Sequence, residues 1–316
     1  MKRRARQKPS RPRHLKLSLP ATSANLGPAF DAAALAFDLF LKIDAQTAHD
    51  FSVVAQGRDA EACNRADNHL IFTTYREVLR SQGKPIQPLA LKIENEIPIG
   101  KGCGSSAAAR LAGIALAVRF GRLHWNDVRI VGEASQREHH ADNAAACWMG
   151  GLAVARMSSD SEASIASIAP KGKWPLLLAV PDEELSTELA RRVLPAQYSR
   201  ADAVSNVQNS MLLLSAFVQG RPDLLTLALE DRLHEPFRAH ACPLLPALQR
   251  MADSGILGVA LSGAGPSVLI FLNPKANLNR VTQQIRAHLT AERLTAELIP
   301  ANITQRGGRS LFGKSR

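Results

Sequence analysis

Residues 89–121 confine the fold more than any other stretch. An alternating run, LALKIEN, is followed by IPIGKGCGSS and then by AAARLAGIALAVRF, closed by Gly121. The alternation reads as a strand, and the alanine- and leucine-rich run reads as a helix. Between them, Gly100, Gly102 and Gly104 allow backbone turns closed to other residues and leave N–H groups uncovered. Ser105 or Ser106 can cap the helix or turn a hydroxyl toward a ligand. A helix N-terminus behind such a loop offers unpaired donors and partial positive charge to an anion. The stretch is thus either a phosphate cradle or a plain loop with a capped helix. Two familiar patterns are excluded: Lys101 precedes the serines, unlike the lysine of a Walker loop, and Ala107 stands where GxGxxG needs its third glycine.

Elsewhere, strands and helices alternate irregularly without an internal repeat, which suggests two α+β units in a chain of 316 residues. Turn-rich ATSANLGPAFD (21–31) leads through apolar residues into a strand, LFLKIDA. Helices are expected over NHLIFTTYREVLRSQG, NDVRIVGEASQREHH, STELARRVLP, AVSNVQNSMLLLSAFVQG, DLLTLALEDRLHE and VTQQIRAHLTAERL. GILGVALSGAGPSVLIFLN (255–273) reads as strand, glycine turn, strand. Polar SSDSEASIASIAPKGK (158–173) reads as a domain seam.

The charge of +11 misleads if taken as a property of the body. Eight positives, from Lys2 to Lys16, precede the first acid, Asp31, and without them the net charge falls to +3. A nucleic-acid-binding body is therefore not implied. Residues 1–13 read as a disordered basic arm, either simply solvated or touching RNA, a membrane or a partner. Pro9 and Pro12 argue against a transit helix, and no export segment or bilayer-length apolar run is expected. Cys63, Cys103, Cys147 and Cys242 form no CxxC pair, which fits free thiols in a reducing cytoplasm.

Several polar groups stand near the glycine loop in sequence. Glu133 and Glu138 are five apart in one helix, so they do not share a face cleanly. His139, His140 and Asp142 lack the HExxH spacing and a clear third ligand for zinc. A single glutamate beside a phosphate loop would instead suit Mg²⁺, which takes carboxylate and phosphate oxygens. No GxSxG elbow is present.

Three blocks, PATSANLGPAFD (20–31), PIGKGCGSSAAA (98–109) and LSGAGPS (261–267), resemble the GHMP small-molecule kinases. HADN with its following GG, STELARRVLP (186–195) and HEPFR (234–238) are similar to the homoserine kinase branch. The resemblance implies an α+β, two-domain fold. Its ATP-binding N-terminal domain (14–165) holds a left-handed βαβ unit, and its C-terminal domain (166–316) is ferredoxin-like. It also implies a homodimer that moves the γ-phosphoryl group of MgATP to the side-chain hydroxyl of L-homoserine, for threonine synthesis. Carried over residue by residue, Ile99, Gly100, Lys101, Gly102, Cys103, Gly104, Ser105 and Ser106 become the phosphate loop. Ser106 and Glu133 become the Mg²⁺ ligands, with Glu138 in reserve. Asn68 would lie near the adenine, and Thr187 near the phosphate and acceptor hydroxyl. Asn25, Asp31, His140 and Asn143 match substrate positions, with Asp31 orienting the hydroxyl. Arg191 and Arg238 would hold the substrate carboxylate, a role suited to the guanidinium fork.

The chain departs from the family pattern in three places: Ala29 replaces a glycine, Cys103 a leucine, and Trp148 enters a loop that bears on pocket shape. The alternatives are a GHMP kinase acting on another small alcohol, or a nucleic-acid-binding protein using the arm.

Overall fold

A computed structural model describes residues 14–65, 69–159, 161–251 and 255–312. The arm over 1–13 and Asn68 lie outside the described residues, as does the side chain of Thr187.

The first layer is a six-stranded sheet in the order β3-β4-β2-β5-β6, with β1 paired to β2. β1 (His14–Asn25) and β2 (Ala29–Thr47) form a long antiparallel hairpin that turns at Leu26–Pro28. The residues expected as turn are therefore mostly strand, because small side chains such as Ala21, Thr22, Ser23 and Ala24 are buried. β3 (Ser52–Gly57) is followed by α1 (Ala60–Cys63), α2 (Leu70–Ser81) and β4 (Leu89–Asn95). β3 and β4 pair in parallel, so this segment is the β-α-β unit of the layer.

Helix α3 (Ser105–Phe120) follows the glycine loop and is buried almost all round. It approaches α2 so closely that a Cβ on Gly113 would lie 2.6 Å from the Ile71 carbonyl oxygen. α4 (Asp127–Glu138) is capped by Asn126, whose side chain accepts from Arg129 N–H, and α5 (Asp142–Met149) follows at once. β5 (Leu152–Ser159) and β6 (Glu162–Ile168) form a hairpin, so the first sheet runs through the residues read as a seam. Their polar composition belongs to an edge strand, where one face meets water.

The second layer holds β7 (Pro175–Val180), α6 (Thr187–Arg192), α7 (Arg200–Gln219), α8 (Leu225–Ala228), α9 (Glu235–Arg238) and α10 (Leu244–Gln249). β8 (Ile256–Leu261), β9 (Val268–Leu272), α11 (Leu278–Ala291) and β10 (Glu297–Asn302) complete it. Its antiparallel order, β10-β7-β9-β8, is the ferredoxin-like arrangement. The single helix expected over 223–235 is broken. The Asp231 carboxylate accepts the N–H groups of Leu233, His234 and Glu235, competing with helix bonding and starting α9 instead.

The chain then returns to the first layer. Ile303 bridges Phe37, and α12 (Arg309–Phe312) brings Phe312 onto Trp148 at 5.5 Å. Trp148 is fully buried and donates to Asp127, and it lines none of the cavity described below. Among the described residues, no helix is long and apolar enough to cross a membrane.

Candidate active site

The glycine loop sits where the two layers meet. Gly100, Gly102 and Gly104 have φ of 72°, 76° and 71°, so each is left-handed. A Cβ on Gly102 would lie 2.2 Å from the Ser262 carbonyl oxygen, and one on Gly104 would lie 1.9 Å from Thr22 Oγ1. Both positions therefore require glycine twice over, by conformation and by space. The loop is bonded to both layers: Thr22 N–H donates to the Cys103 carbonyl, Ser262 Oγ to that of Gly102, and Ser267 N–H to that of Lys101.

Gly104 is itself the N-cap of α3 and supplies no side-chain acceptor. Ser105 and Ser106 are the first helical residues, so the helix keeps open donors toward the loop, as an anion site requires. Two cavities meet there. A small one of about 120 Å³ is lined by Asn25, Asp31, Glu138, His140, Asn143, Arg191 and Arg238 with the loop glycines. A larger one of about 440 Å³ is apolar, with Leu41, Ile71, Ile93, Ile97 and Ile99 on its walls. Gly100, Ser105 and Ser106 line both. His69, next to Asn68, lines the larger one.

The small cavity is strongly charged. The Asp31 carboxylate receives both Arg191 Nη groups, at 2.6 and 3.0 Å, and this holds the Arg191 pKa above its ordinary value. Asp31 has φ 54°, an uncommon conformation held by its N–H donating to Asn25 Oδ1. Asn25 Nδ2 donates in turn to the Gly263 carbonyl, tying the hairpin turn to the second glycine turn. Ala29 is not among the positive-φ residues, so alanine is unstrained there. Thr22 Oγ1 donates to Asn143 Oδ1 at 2.6 Å, which leaves the Asn143 amide hydrogens for the cavity. His140 Nδ1 donates to Asp142 at 2.7 Å. Burial alone would lower the His140 pKa, but Asp142, Glu138 and Asp31 outweigh it and hold the imidazole above its ordinary value.

The two glutamates are separated by where α4 ends. Glu138 is its last residue, and His139 reverses the chain at φ 64°. Glu138 Oε1 accepts from Ser106 Oγ at 2.6 Å and from Arg110 Nε. Glu133 does not line the cavity: it pairs with Arg137 at 2.6 Å and faces Arg129 at 3.9 Å. Five residues along a helix put the two carboxylates on different faces, and only the second faces the loop.

Two loop residues have other occupations. Lys101 Nζ donates to the Asp182 and Glu183 carbonyls of the second layer. Cys103 is buried, and burial pushes its thiol up to about 12, so it is no nucleophile. Thr187 opens α6, four residues before Arg191 on the same helix, and its side chain lies outside the described residues.

Among the cavity residues given no role from sequence, Asp142, Phe30 and Leu185 bring the larger side chains. Asp142, inside the HADN block, is 1% exposed, and its Oδ2 has no hydrogen-bond partner among the described residues. Phe30, in the first block, lies 5.6 Å from the Arg191 guanidinium and 5.3 Å from that of Arg238. Leu185 completes the wall from the second layer.

Beneath the cavity, the start of α9 and the residue before it are buried titratable neighbours, Glu235 and His234. Burial pushes the Glu235 carboxyl up to about 8, opposed in part by the Leu261 N–H that donates to it. Burial also holds His234 well below the ordinary 6.5. Glu235 therefore costs stability as pH rises from the ordinary 4.5 to about 8, and His234 costs stability as pH falls below 6.5. The slopes of these two oppose each other between 4.5 and 6.5; above 6.5 that of Glu235 continues to 8, and the raised His140 adds a slope of the same sign that Glu235→Gln leaves in place. Thermal melts should thus show Tm falling from pH 6.5 to 8 in the native chain. In Glu235→Gln that decline should flatten; an identical decline would refute the assignment.

Comparison with known proteins agrees with this architecture. The family model described as GHMP kinases N terminal domain matches residues 69–151, and that described as GHMP kinases C terminal matches residues 213–291. A homoserine kinase of Solibacter usitatus is 42% identical over 255 residues, covering 81% of this chain and 84% of its own. One from Deinococcus radiodurans is 32% identical, covering 95% and 97%. The crystal structure of homoserine kinase from Cytophaga hutchinsonii superposes with a TM-score of 0.79 at 23% identity, covering 96% of this chain and 99% of that one. On fold, glycine loop and extent of likeness together, the chain belongs to the homoserine kinase family of the GHMP kinases.

Proposed function

We propose that this chain transfers the γ-phosphoryl group of ATP to the side-chain hydroxyl of L-homoserine, giving O-phospho-L-homoserine for threonine synthesis. The observation that carries the reading is the shared wall of the two cavities: Gly100, Ser105 and Ser106 stand between an apolar cavity and a small charged one. A nucleotide base fits the first, a small zwitterion fits the second, and the phosphates then cross the loop.

Among the described residues, no group of three His, Cys, Asp or Glu side chains is placed to hold a metal ion. The residues present nevertheless fit Mg²⁺, because Glu138 and Ser106 offer a carboxylate and a hydroxyl oxygen 2.6 Å apart beside the loop. We assign these two as its protein ligands, the nucleotide phosphates supplying the rest. When bound, the ion neutralises phosphate charge.

The chain's own groups act by alignment. The loop and the α3 N-terminus face the phosphoryl oxygens. Arg191 and Arg238 take the substrate carboxylate. The unpartnered Asp142 Oδ2, held by His140, accepts from the ammonium group. Asp31 and the Asn143 amide orient the hydroxyl toward the loop. The same reading carries a cytoplasmic homodimer and leaves the basic arm outside catalysis.

The test is ADP release from MgATP with a panel of alcohols. L-Homoserine should far exceed mevalonate, galactose and L-threonine. Comparable or better turnover of one of those would assign the chain to a different acceptor.

A further inference from the structure

The HEPFR segment contributes Arg238 to the cavity, yet its histidine reaches no substrate position in the reading above. Arg238 is 2% exposed and His234 is 0% exposed. His234 Nε2 lies 2.8 Å from the Gly27 carbonyl oxygen, and its Nδ1 lies 3.1 Å from Arg238 Nη1. A carbonyl only accepts, so Nε2 must carry the imidazole hydrogen. Nδ1 is then a lone pair, and the guanidinium, which only donates, fills it.

We propose that His234 is a positioning residue, which fixes the plane of the Arg238 guanidinium so that one edge is offered to the substrate carboxylate. This rests on the reading of Arg238 as a carboxylate ligand. Arg238 Nε is taken by the Ala190 carbonyl at 3.0 Å, an anchor on α6. That bond alone would let the outer guanidinium swing, and His234 at Nη1 removes the freedom. Among the described residues, the Nη2 side then remains for a carboxylate. Phe30 supports the arrangement by stacking on His234 at 5.1 Å and lying against Arg238.

The far end of the imidazole gives the contact its meaning. Gly27 belongs to the left-handed turn Asn25–Gly27, in which Leu26 alone separates it from the Asn25 that holds Asp31. One ring thus sets the carboxylate-binding arginine in register with the turn that aims the hydroxyl-binding aspartate. Asp231, the nearest acid, lies 3.7 Å from Nε2 but is engaged by three backbone N–H groups and by Asn206.

Two substitutions separate positioning from mere filling. In His234→Asn, the side-chain oxygen stands in for Nδ1 and can still accept from Arg238. In His234→Gln, the terminal amide stands in for Nε2 and keeps Gly27, but no acceptor faces Arg238. Fixing a long side chain accounts for roughly a three- to tenfold effect on binding. His234→Gln should raise the KM for L-homoserine by about that factor, with the KM for ATP little moved. His234→Asn should recover most of the loss. Side-chain ¹⁵N spectra give a readout that needs no turnover: Arg238 Nη rotation should be slow in native protein and His234→Asn, and fast in His234→Gln.

If both variants raise KM equally, or Arg238 rotation is unchanged in His234→Gln, the positioning role is refuted. Failure of native protein to use L-homoserine would instead overturn the substrate reading, while the spectra would still decide the role of His234.

Discussion

Glu138→Gln should lower kcat with MgATP and L-homoserine by about 10²–10³-fold, the loss typical when a preorganised charge contact to a developing transition state is removed. The expectation follows from its place at the last turn of α4, hydrogen-bonded to Ser106 at the start of α3. Glutamine keeps the size and the contact with Ser106 but carries no charge, so the half-saturating Mg²⁺ concentration should rise with the loss in kcat. Arg110, which also donates to Glu138, would be left without its counter-charge, and a modest fall in Tm should follow. Glu133→Gln is the informative control. Its carboxylate meets Arg137 and Arg129 away from the cavity, so the substitution should lower stability by about 1–2 kcal/mol while changing kcat less than threefold. A large kcat loss in Glu133→Gln with little in Glu138→Gln would reverse the assignment of the two residues.

The second large effect is on substrate affinity. Arg238→Ala should raise the KM for L-homoserine by roughly 10–100-fold, as expected for a charge-assisted hydrogen bond lost from a buried site. The KM for ATP should move far less, because Arg238 lines the small charged cavity and not the apolar one. The substitution also leaves the Ala190 carbonyl and His234 Nδ1 without their donor, so Tm should fall as well. The two effects are separable: a fold defect alone lowers the active fraction and hence the apparent kcat, whereas loss of the carboxylate ligand raises KM. An unchanged KM in folded protein would refute the role.

Much of the loop was legible in its residues. Three alternating glycines before an alanine-rich helix have few uses, and their left-handed angles and crowded Cβ positions supply the physical reason. What could not be read was whether Ser105 and Ser106 capped the helix. That depended on Gly104 taking the N-cap itself, a matter of one residue in the boundary. The choice between Glu133 and Glu138 was equally hidden. It turns on the left-handed His139, which ends α4 just where the second carboxylate meets Ser106.

Other features depended on tertiary context. Residues 158–173 hold both the polar edge strand β6 and the start of the passage from the first sheet to the second, and polarity alone does not mark where one gives way to the other. The broken helix after Pro222 depended on Asp231 capping three successive N–H groups, which periodicity does not report. The Asp31–Arg191 pair joins residues 160 apart in the chain, and no local pattern announces it.

The bonds that seat the glycine loop also set when the site can come into being during synthesis. The Gly102 carbonyl is met by a serine 160 residues later, and Lys101 by carbonyls about 80 residues later. A ribosome-bound chain that has released only the first layer therefore holds a loop without its wall. The apolar cavity is complete in that first layer, but the loop is seated, and the small charged cavity closed by Arg191 and Arg238, only after Ser267 has left the exit tunnel.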